Sequence, residues 1–226
     1  MKDILIPLGL LSFLCFFVYV FIRTARKQRD AKASIFENFA TRFKIFYLKT
    51  DDGKVQQFAF DFDGIGRFKS PSLGKILPKD VVFGKLNGLQ IILFRHRIRF
   101  SEGWAREWFV AGVKRQNPIA KRCSVQFCKQ RADRDTMYLQ DPVVKEFETS
   151  SFLMVVRAPN LSSAGIISND DTLKRLAKFA GEIPFRPEIQ VRENRIVTYL
   201  ADRNEVIENV ENLESLLKIS EKVAGI

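Results

Sequence analysis

Few residues in this chain of 226 have the types and spacing that chemistry requires. Asp61 and Asp63 stand two apart at the end of residues 55–63, where phenylalanines alternate with other residues as in a half-buried strand. His96 is the single histidine, and the three cysteines do not have zinc-ligand spacing with it. The sequence contains neither a Gly-x-x-x-x-Gly-Lys phosphate-binding loop nor a Gly-x-Ser-x-Gly nucleophile motif. Asp61 and Asp63 therefore remain as the candidates for catalysis.

The string Phe60-Asp61-Phe62-Asp63-Gly64 resembles the first motif of haloacid-dehalogenase phosphatases, Asp-x-Asp-Gly-Thr. The resemblance implies a Mg²⁺-dependent phosphatase in which Asp61 is the nucleophile and Asp63 the acid/base, with acids of residues 168–171 holding the metal. However, Ile65 replaces the Thr of that motif, and a Gly/Pro-rich loop and hairpins follow where a parallel sheet requires a crossover helix. A strand end, turn acids and a helix cap explain the same residues. The phosphatase is thus the alternative, and we expect no enzymatic activity, no metal and no cofactor.

The clearest local signal is Asn87-Gly88, which lies between two apolar runs and suits a two-residue type I′ turn. It predicts a hairpin pairing residues 81–86 with 89–100. Alternation along the second strand places His96 on the apolar side and three arginines on the other. We therefore predict a core histidine and a solvated stripe formed by Arg95, Arg97 and Arg99.

Positive charge is concentrated in the middle of the chain, whose net charge is +11. Residues 85–131 contain eleven Lys/Arg and two acids, whereas residues 201–226 carry a net negative charge. We predict a basic binding surface there, for which an anionic lipid surface ranks first as the partner, a protein second and nucleic acid third. Its candidate residues are Arg95, Arg97, Arg99, Lys114, Arg115, Lys121 and Arg122.

An apolar stretch at residues 4–22 dominates the N-terminus. It contains no charge, fourteen of its nineteen residues are Ile, Leu, Val or Phe, and as a helix it would span close to 30 Å, the thickness of a hydrocarbon core. Five Arg or Lys residues follow it between positions 23 and 32. This asymmetry predicts a single-pass anchor in the plasma or inner membrane, with residues 1–3 outside and residues 44–226 in the cytoplasm. A cleaved signal peptide fits less well because the apolar run is long and no small-x-small cleavage site follows it.

Residues 33–43 carry apolar side chains at helical spacing and follow the basic residues directly. The sequence predicts an amphipathic helix here. Its apolar stripe packs on the soluble domain or, alternatively, lies on the lipid surface.

The remaining segments predict an α+β domain with a mostly antiparallel sheet and three helices. Further strands are expected over residues 106–115, 124–130 and 151–158, and a second hairpin over 188–200 that turns at Glu193-Asn194. Helices are expected from residue 169 or 170 to 180, with Gly181 as the C′ residue, and over 205–224. Cys123 and Cys128 would lie on opposite faces of a strand as reduced, partly buried side chains.

The order of these segments resembles a broad class of bacterial membrane-anchored proteins of unknown function. The resemblance covers most of residues 23–224 and includes segments of the type FENFATRF, VVFGKLNGLQIILFRHR and DPVVKEFETSSFLMVVRAPN. It lies in pattern and spacing, not in an exact motif. It implies a cytoplasmic α+β domain, and it transfers no functional residue.

Overall fold

The computed structural model describes residues 2–50, 78–99, 105–128, 141–183, 185–201, 207 and 209–225. These residues form an α+β fold with one mostly antiparallel sheet and four α-helices, which confirms the predicted fold class. The N-terminal apolar stretch and the predicted amphipathic helix form one continuous helix, and the short helix Leu161–Ala164 was not predicted. The strand predicted over residues 55–63 lies outside the described residues, as does nearly all of the loop that follows it.

The sheet has nine described strands, and every described pairing between neighbours is antiparallel. The strands are β1 (Phe46–Thr50), β2 (Lys79–Leu86), β3 (Leu89–Arg99), β4 (Ala105–Lys114), β5 (Ala120–Cys128), β6 (Val143–Glu148), β7 (Leu153–Arg157), β8 (Glu188–Glu193) and β9 (Arg195–Ala201). Their order across the sheet is β1-β2-β3-β4-β9-β8-β5-β7-β6. The helices are α1 (Lys2–Phe43), α2 (Leu161–Ala164), α3 (Asp170–Gly181) and α4 (Val210–Ala224), and a 3-10 turn over Gly165–Ser168 joins α2 to α3.

Both predicted hairpins are present. Leu86 pairs with Leu89 across Asn87 and Gly88, whose φ angles of 50° and 79° are the left-handed values that a type I′ turn needs. Arg192 pairs with Arg195 across the second turn, where Glu193 has a φ of 55°. These two turns set the register of β2 with β3 and of β8 with β9.

The main hydrophobic core lies on one face of the sheet, where helices cover it. Phe36 and Phe39 of α1 are fully buried there with Leu93 and Phe109 of the sheet, and Leu213 and Leu217 of α4 join them. Alternate residues of the same strands belong to a separate buried cluster, which includes Ile92, Phe94 and Val110. Strands β3 and β4 therefore bury side chains on both faces.

Helix α1 runs without a break from Lys2 to Phe43, and its described side chains begin at Phe13. The predicted apolar stripe of residues 33–43 packs on the domain, because Phe36, Phe39 and Ala40 are buried in the main core. This segment therefore packs on the domain, as in the first of its two predicted arrangements, and does not lie on the lipid surface.

Among the described side chains, which in α1 begin at Phe13, no helical stretch combines the length and the hydropathy needed to span a membrane.

Two helix boundaries differ from the prediction. Helix α4 begins at Val210, later than the expected residue 205, because Asn209 has extended backbone and its side chain accepts a hydrogen bond from the N–H of Asn212. Gly181 is the last residue of α3, not the residue after it, and its φ is not positive.

Candidate functional site

Arg95 is the predicted binding residue whose environment differs most from expectation. Its side chain is only 4% exposed. Its Nε donates a hydrogen bond to Oδ2 of Asp80 at 2.6 Å, and its Nη1 donates to Oε1 of Glu107 at 3.2 Å. The prediction that Arg95 belongs to a solvated stripe is wrong.

The reason is that α1 covers this face of the sheet. Alternation correctly separates Arg95 from His96, but the face that carries Arg95 also carries Ile91 and Leu93 of the main core. A charge can remain buried there only if it is paired and hydrogen-bonded, and Asp80 and Glu107 provide the partners.

Two more side chains complete what we call the Arg95 network, which consists of Lys32, Tyr47, Asp80, Arg95 and Glu107. The hydroxyl of Tyr47 donates to Oδ1 of Asp80 at 2.8 Å, and Nζ of Lys32 donates to Oε2 of Glu107 at 3.1 Å. Burial, and then the hydrogen bond to Asp80, raise the pKa of Tyr47 far above its usual value. The network joins α1 to strands β1, β2, β3 and β4 and carries equal numbers of positive and negative charges.

Sequence reasoning missed this network. Asp80 directly precedes the apolar run of β2, and Glu107 is one of two acids in a basic stretch, so each acid was a possible signal of a buried partner. Asp80 also has a φ of 52°, an uncommon backbone conformation that aspartate tolerates better than most residues.

The backbone positions of the other predicted binding residues lie at separate places along the sheet. Arg97 and Arg99 are in the last three residues of β3. In the backbone register of β3 with β4, Arg97 lies opposite Glu107 and Arg99 lies opposite Ala105. Lys114 ends β4, which places it about 30 Å from Ala105 at 3.3 Å per residue. Arg115 follows it, and its backbone N–H donates to the carbonyl of Asn194.

Lys121 and Arg122 lie on β5. Lys121 is exposed, whereas Arg122 is half-buried and its Nε pairs with Oδ2 of Asp141 at 3.1 Å. The seven candidates thus divide into a buried residue, a pair at the end of β3 and a group near the opposite end of β4.

His96 is buried on β3, as the alternation predicts. Burial lowers its pKa to about 4, so the imidazole is neutral at physiological pH. A neutral, buried histidine is consistent with a core role.

Cys123 and Cys128 are both buried free thiols on β5. Cys123 lies in the main core and Cys128 in a separate cluster with Leu153 and Val155, as predicted for opposite faces of a strand. Burial raises the pKa of Cys123 to about 12, which keeps it a thiol. No group of three or more metal-ligating side chains occurs within the described ranges.

The residues of the phosphatase alternative are only partly visible. Asp61 and Asp63 lie outside the described residues. Asp170 and Asp171 are in the first turn of α3, where the positive end of the helix dipole stabilises a carboxylate. Asp170 accepts from Nζ of Lys145 at 2.9 Å, and this contact lowers the pKa of Asp170.

The direction of α1 relative to the sheet follows from contacts at its two ends. Lys32 is level with Glu107, and the ring of Phe36 stacks on that of Phe109 with centroids 6.1 Å apart. Ile45, just after the helix, contacts Gly84. Gly84 of β2 is the strand partner of Ile91 of β3, and Ile91 is in turn the strand partner of Val113 of β4.

The lengths of the two paths agree. Lys32 to Phe43 spans about 17 Å of helix, and Glu107 to Val113 spans about 20 Å of strand. Helix α1 and strand β4 therefore run side by side in the same direction.

The described side chains of α1 before Lys32, which begin at Phe13, have no such cover. The large apolar side chains from Phe13 to Ile22 are 41–77% exposed. The side chains that follow, including Arg23, Arg26, Lys27 and Arg29, are exposed as well. One helix thus carries an uncovered apolar segment, a basic segment and a segment buried in the core.

These features define an α+β domain with a nine-stranded antiparallel sheet to which a long N-terminal helix is attached. No protein-family model matches the chain, and no curated protein matches it significantly. Among solved structures, it is similar to the crystal structure of the mycobacterial trehalose monomycolate transport factor A, TtfA. The TM-score is 0.53 at 11% identity, over 85% of this chain and 92% of that one. This likeness concerns the fold.

Proposed function

We propose that the chain is a single-pass membrane protein whose cytoplasmic domain acts by binding, with membrane lipids or a protein as its partner. The observation that carries the proposal is the three-part helix α1. An apolar surface that is exposed around a helix needs lipid or a partner to cover it. The buried segment of the same continuous helix connects the domain to this apolar segment.

The energetics favour a bilayer for the apolar segment. Residues 4–22 hold nineteen uncharged residues, and transfer of such a stretch into a membrane is favourable by roughly 5 kcal/mol. The five basic residues between positions 23 and 32 are held on the cytoplasmic side, which leaves residues 1–3 outside.

The partner order follows from charge. A domain close to an anionic leaflet gains about 1 kcal/mol per basic residue near the surface, so lipid ranks first. A protein partner ranks second. The protein of similar fold is named a transport factor, so a partner in transport is one form that this binding would take. Nucleic acid ranks third, because lipid charge and topology already explain the basic excess.

A topology experiment tests the placement. A reporter active only in the cytosol is fused after Ile226 of the full chain, and membranes are washed with alkaline carbonate. We expect an active reporter and a protein that stays in the washed membranes. A reporter active only outside the cytosol, or release by carbonate, would contradict the proposal.

The alternative is the Mg²⁺-dependent phosphatase using Asp61 and Asp63. The antiparallel pairing of all described strands argues against it, because the resembled motif belongs to a parallel sheet with crossover helices. The full chain, incubated with a generic phosphate ester and Mg²⁺, is expected to show no turnover. Turnover that disappears in Asp61→Asn would overturn the proposal of a binding protein.

A further inference from the structure

We propose that a line of cations across the sheet binds an acidic, extended segment of a protein partner. This line, which we call the cation row, consists of residues that lie opposite one another on six neighbouring strands: Lys85, Gln90, Lys114, Arg195, Arg192 and Arg122. The inference deepens the proposed binding function and rests on it, because it names a partner and a site for that binding. It requires no particular placement of α1.

The first step is the register of the strands. Strands β2, β3, β4, β9, β8 and β5 are consecutive in the sheet, and the register places each member of the cation row directly opposite the next, from Lys85 on β2 to Arg122 on β5. Residues directly opposite each other in antiparallel strands have their side chains on the same face. Five cations and one glutamine therefore share one face of the sheet in a single line.

The second step is the face on which the row lies. Along β9, Arg195 is on the opposite face from Ile196 of the main core and on the same face as Val197 of the separate buried cluster. Helices α1 and α4 pack on the main core, so they do not cover the row. All six residues retain exposed surface: Lys85 and Gln90 are exposed, and the other four are half-buried.

The third step is charge. Like charges directly opposite each other on neighbouring strands destabilise a sheet. Arg122, Arg192 and Arg195 form two such pairs in succession, and Lys114 adds a third. Asp141 offsets one of these charges, because it pairs with Arg122 at 3.1 Å. A ligand that brings several negative charges to this line would neutralise the repulsion, so the row favours such a ligand.

The shape of the row suits an acidic peptide. Neighbouring strands are about 4.8 Å apart, so the row is about 24 Å long. Every second side chain of an extended segment points the same way, with a repeat of about 6.6 Å, so about four carboxylates fit along the row. Arginine binds carboxylates through paired hydrogen bonds, and clusters of arginines recognise acidic segments in this way.

Lipid and nucleic acid match the row less closely. The turn residues Asn87 and Gly88 and residues 116–118 are exposed just beyond the row. A flat lipid surface would meet these turns before it reached the half-buried arginines. Single-stranded nucleic acid binds where bases can stack on aromatic side chains, and the six residues of the row include none. A protein segment is therefore the partner that this site favours.

A labelled peptide measures the binding directly. The probe is a fluorescein-labelled peptide of about eight residues in which Glu alternates with Thr, because that length covers the row. The full chain in neutral detergent is titrated into the probe, and fluorescence anisotropy is recorded at low and at high salt. We expect saturable binding that weakens as salt increases, and no binding of the same peptide with Gln in place of Glu.

Charge variants test which cations are responsible. The triple variant Lys114→Gln, Arg192→Gln, Arg195→Gln should weaken peptide binding about tenfold, because three ion pairs with the peptide are lost. If this variant fails to fold, Lys85→Glu keeps the proposal testable, because that side chain is exposed at the end of the row and its reversal should also weaken binding.

The matched control removes the same charge elsewhere. Lys174, Arg175 and Lys178 are exposed on α3, so the triple variant with Gln at these three positions should bind the peptide like the parent chain. No binding by the parent, or equal weakening in the two triple variants, would show that the cation row is not a binding site.

Two further probes separate the classes of partner. Vesicles that contain phosphatidylglycerol and a thymidine oligonucleotide are offered to the same proteins. Tighter binding of either probe than of the peptide, with loss in the variant of the row, would assign the row to lipid or to nucleic acid and would contradict the proposal. The peptide titration contains no bilayer, so release of the chain from carbonate-washed membranes would contradict the anchor proposal and leave this one standing.

Discussion

Arg95 shows how a single buried residue connects three strands, because it pairs with Asp80 of β2 and Glu107 of β4, and Glu107 in turn bonds Lys32 of α1. It is nearly fully buried, and Asp80, its main partner, is 3% exposed. Removing one member of a buried ion pair leaves the other charge without compensation, which costs about 3–5 kcal/mol. We expect Arg95→Met to lower the free energy of unfolding by that amount in urea denaturation.

Arg42 provides the matched control. It pairs with Glu211 and Glu214 from a half-exposed position, where such contacts contribute about 0–1 kcal/mol. Arg42→Met should therefore change stability little, and adding Asp80→Asn to Arg95→Met should restore part of the loss. Equal effects of Arg95→Met and Arg42→Met would contradict a buried network.

His96 makes stability depend on pH. Burial lowers its folded pKa to about 4, below the unfolded value of 6.5, so the unfolded state binds the proton first as pH falls. The stability that comes from keeping His96 neutral is fully present above pH 6.5 and is lost as the pH falls towards 4. Between pH 7 and pH 5 the loss should be about 2 kcal/mol.

Because His96 is the only histidine, one substitution isolates this effect. Urea unfolding at pH 7 and pH 5 should show the loss in the parent chain and a much smaller one in His96→Gln. The same loss in both proteins would mean that other groups titrate in this range.

At the scale of elements, the start of α4 depends on a side-chain cap. The Oδ1 of Asn209 accepts from the N–H of Asn212 at 2.8 Å. Loss of such a cap costs about 1 kcal/mol, so Asn209→Ala should lower the unfolding free energy by that amount. Asn169 precedes α3 without a side-chain cap bond, and Asn169→Ala should cost only a few tenths of that. A larger loss for Asn169→Ala would show that the caps are assigned incorrectly.

Local sequence signals predicted the elements better than their surroundings. The turn residues Asn87 and Gly88 placed the first hairpin correctly, because positive φ is a property of those residues and needs no knowledge of the rest of the chain. The start of α4 was less predictable, since several acids and asparagines precede it and any of them can begin a helix.

The environment of Arg95 could not be predicted at all from its strand. Alternation tells which residues share a face, but whether that face meets water depends on Lys32 and Phe36, some 60 residues earlier in the chain. Long-range packing of this kind leaves no local pattern. The predicted basic surface therefore wrongly included Arg95.

At the scale of the whole molecule, α1 is both an exposed N-terminal extension and part of the core. No separate linker lies between its exposed segment and its buried segment, since the helix is continuous from Lys2 to Phe43. The domain is thus held close to a fixed distance and orientation relative to whatever surrounds residues 4–22. A flexible connection would give neither.

This double role makes the effect of truncation depend sharply on where the chain is cut. Removing residues 1–29 leaves Lys32, Phe36 and Phe39 in place and should yield a folded domain with a cooperative thermal transition. Removing residues 1–43 also deletes two fully buried phenylalanines, each worth about 3–5 kcal/mol, from a domain whose total stability is about 5–15 kcal/mol. We expect that shorter chain to aggregate or to lack a transition in calorimetry.

Point variants distinguish lost packing from lost length. Phe36→Ala in the chain that starts at residue 30 should cost about 3–5 kcal/mol, because its ring is fully buried against Phe109. Phe46→Ala is the matched control, since that ring is 68% exposed and its removal should cost far less. If Phe36→Ala were as mild as Phe46→Ala, or if the chain starting at residue 44 folded cooperatively, α1 would not be an integral part of the core.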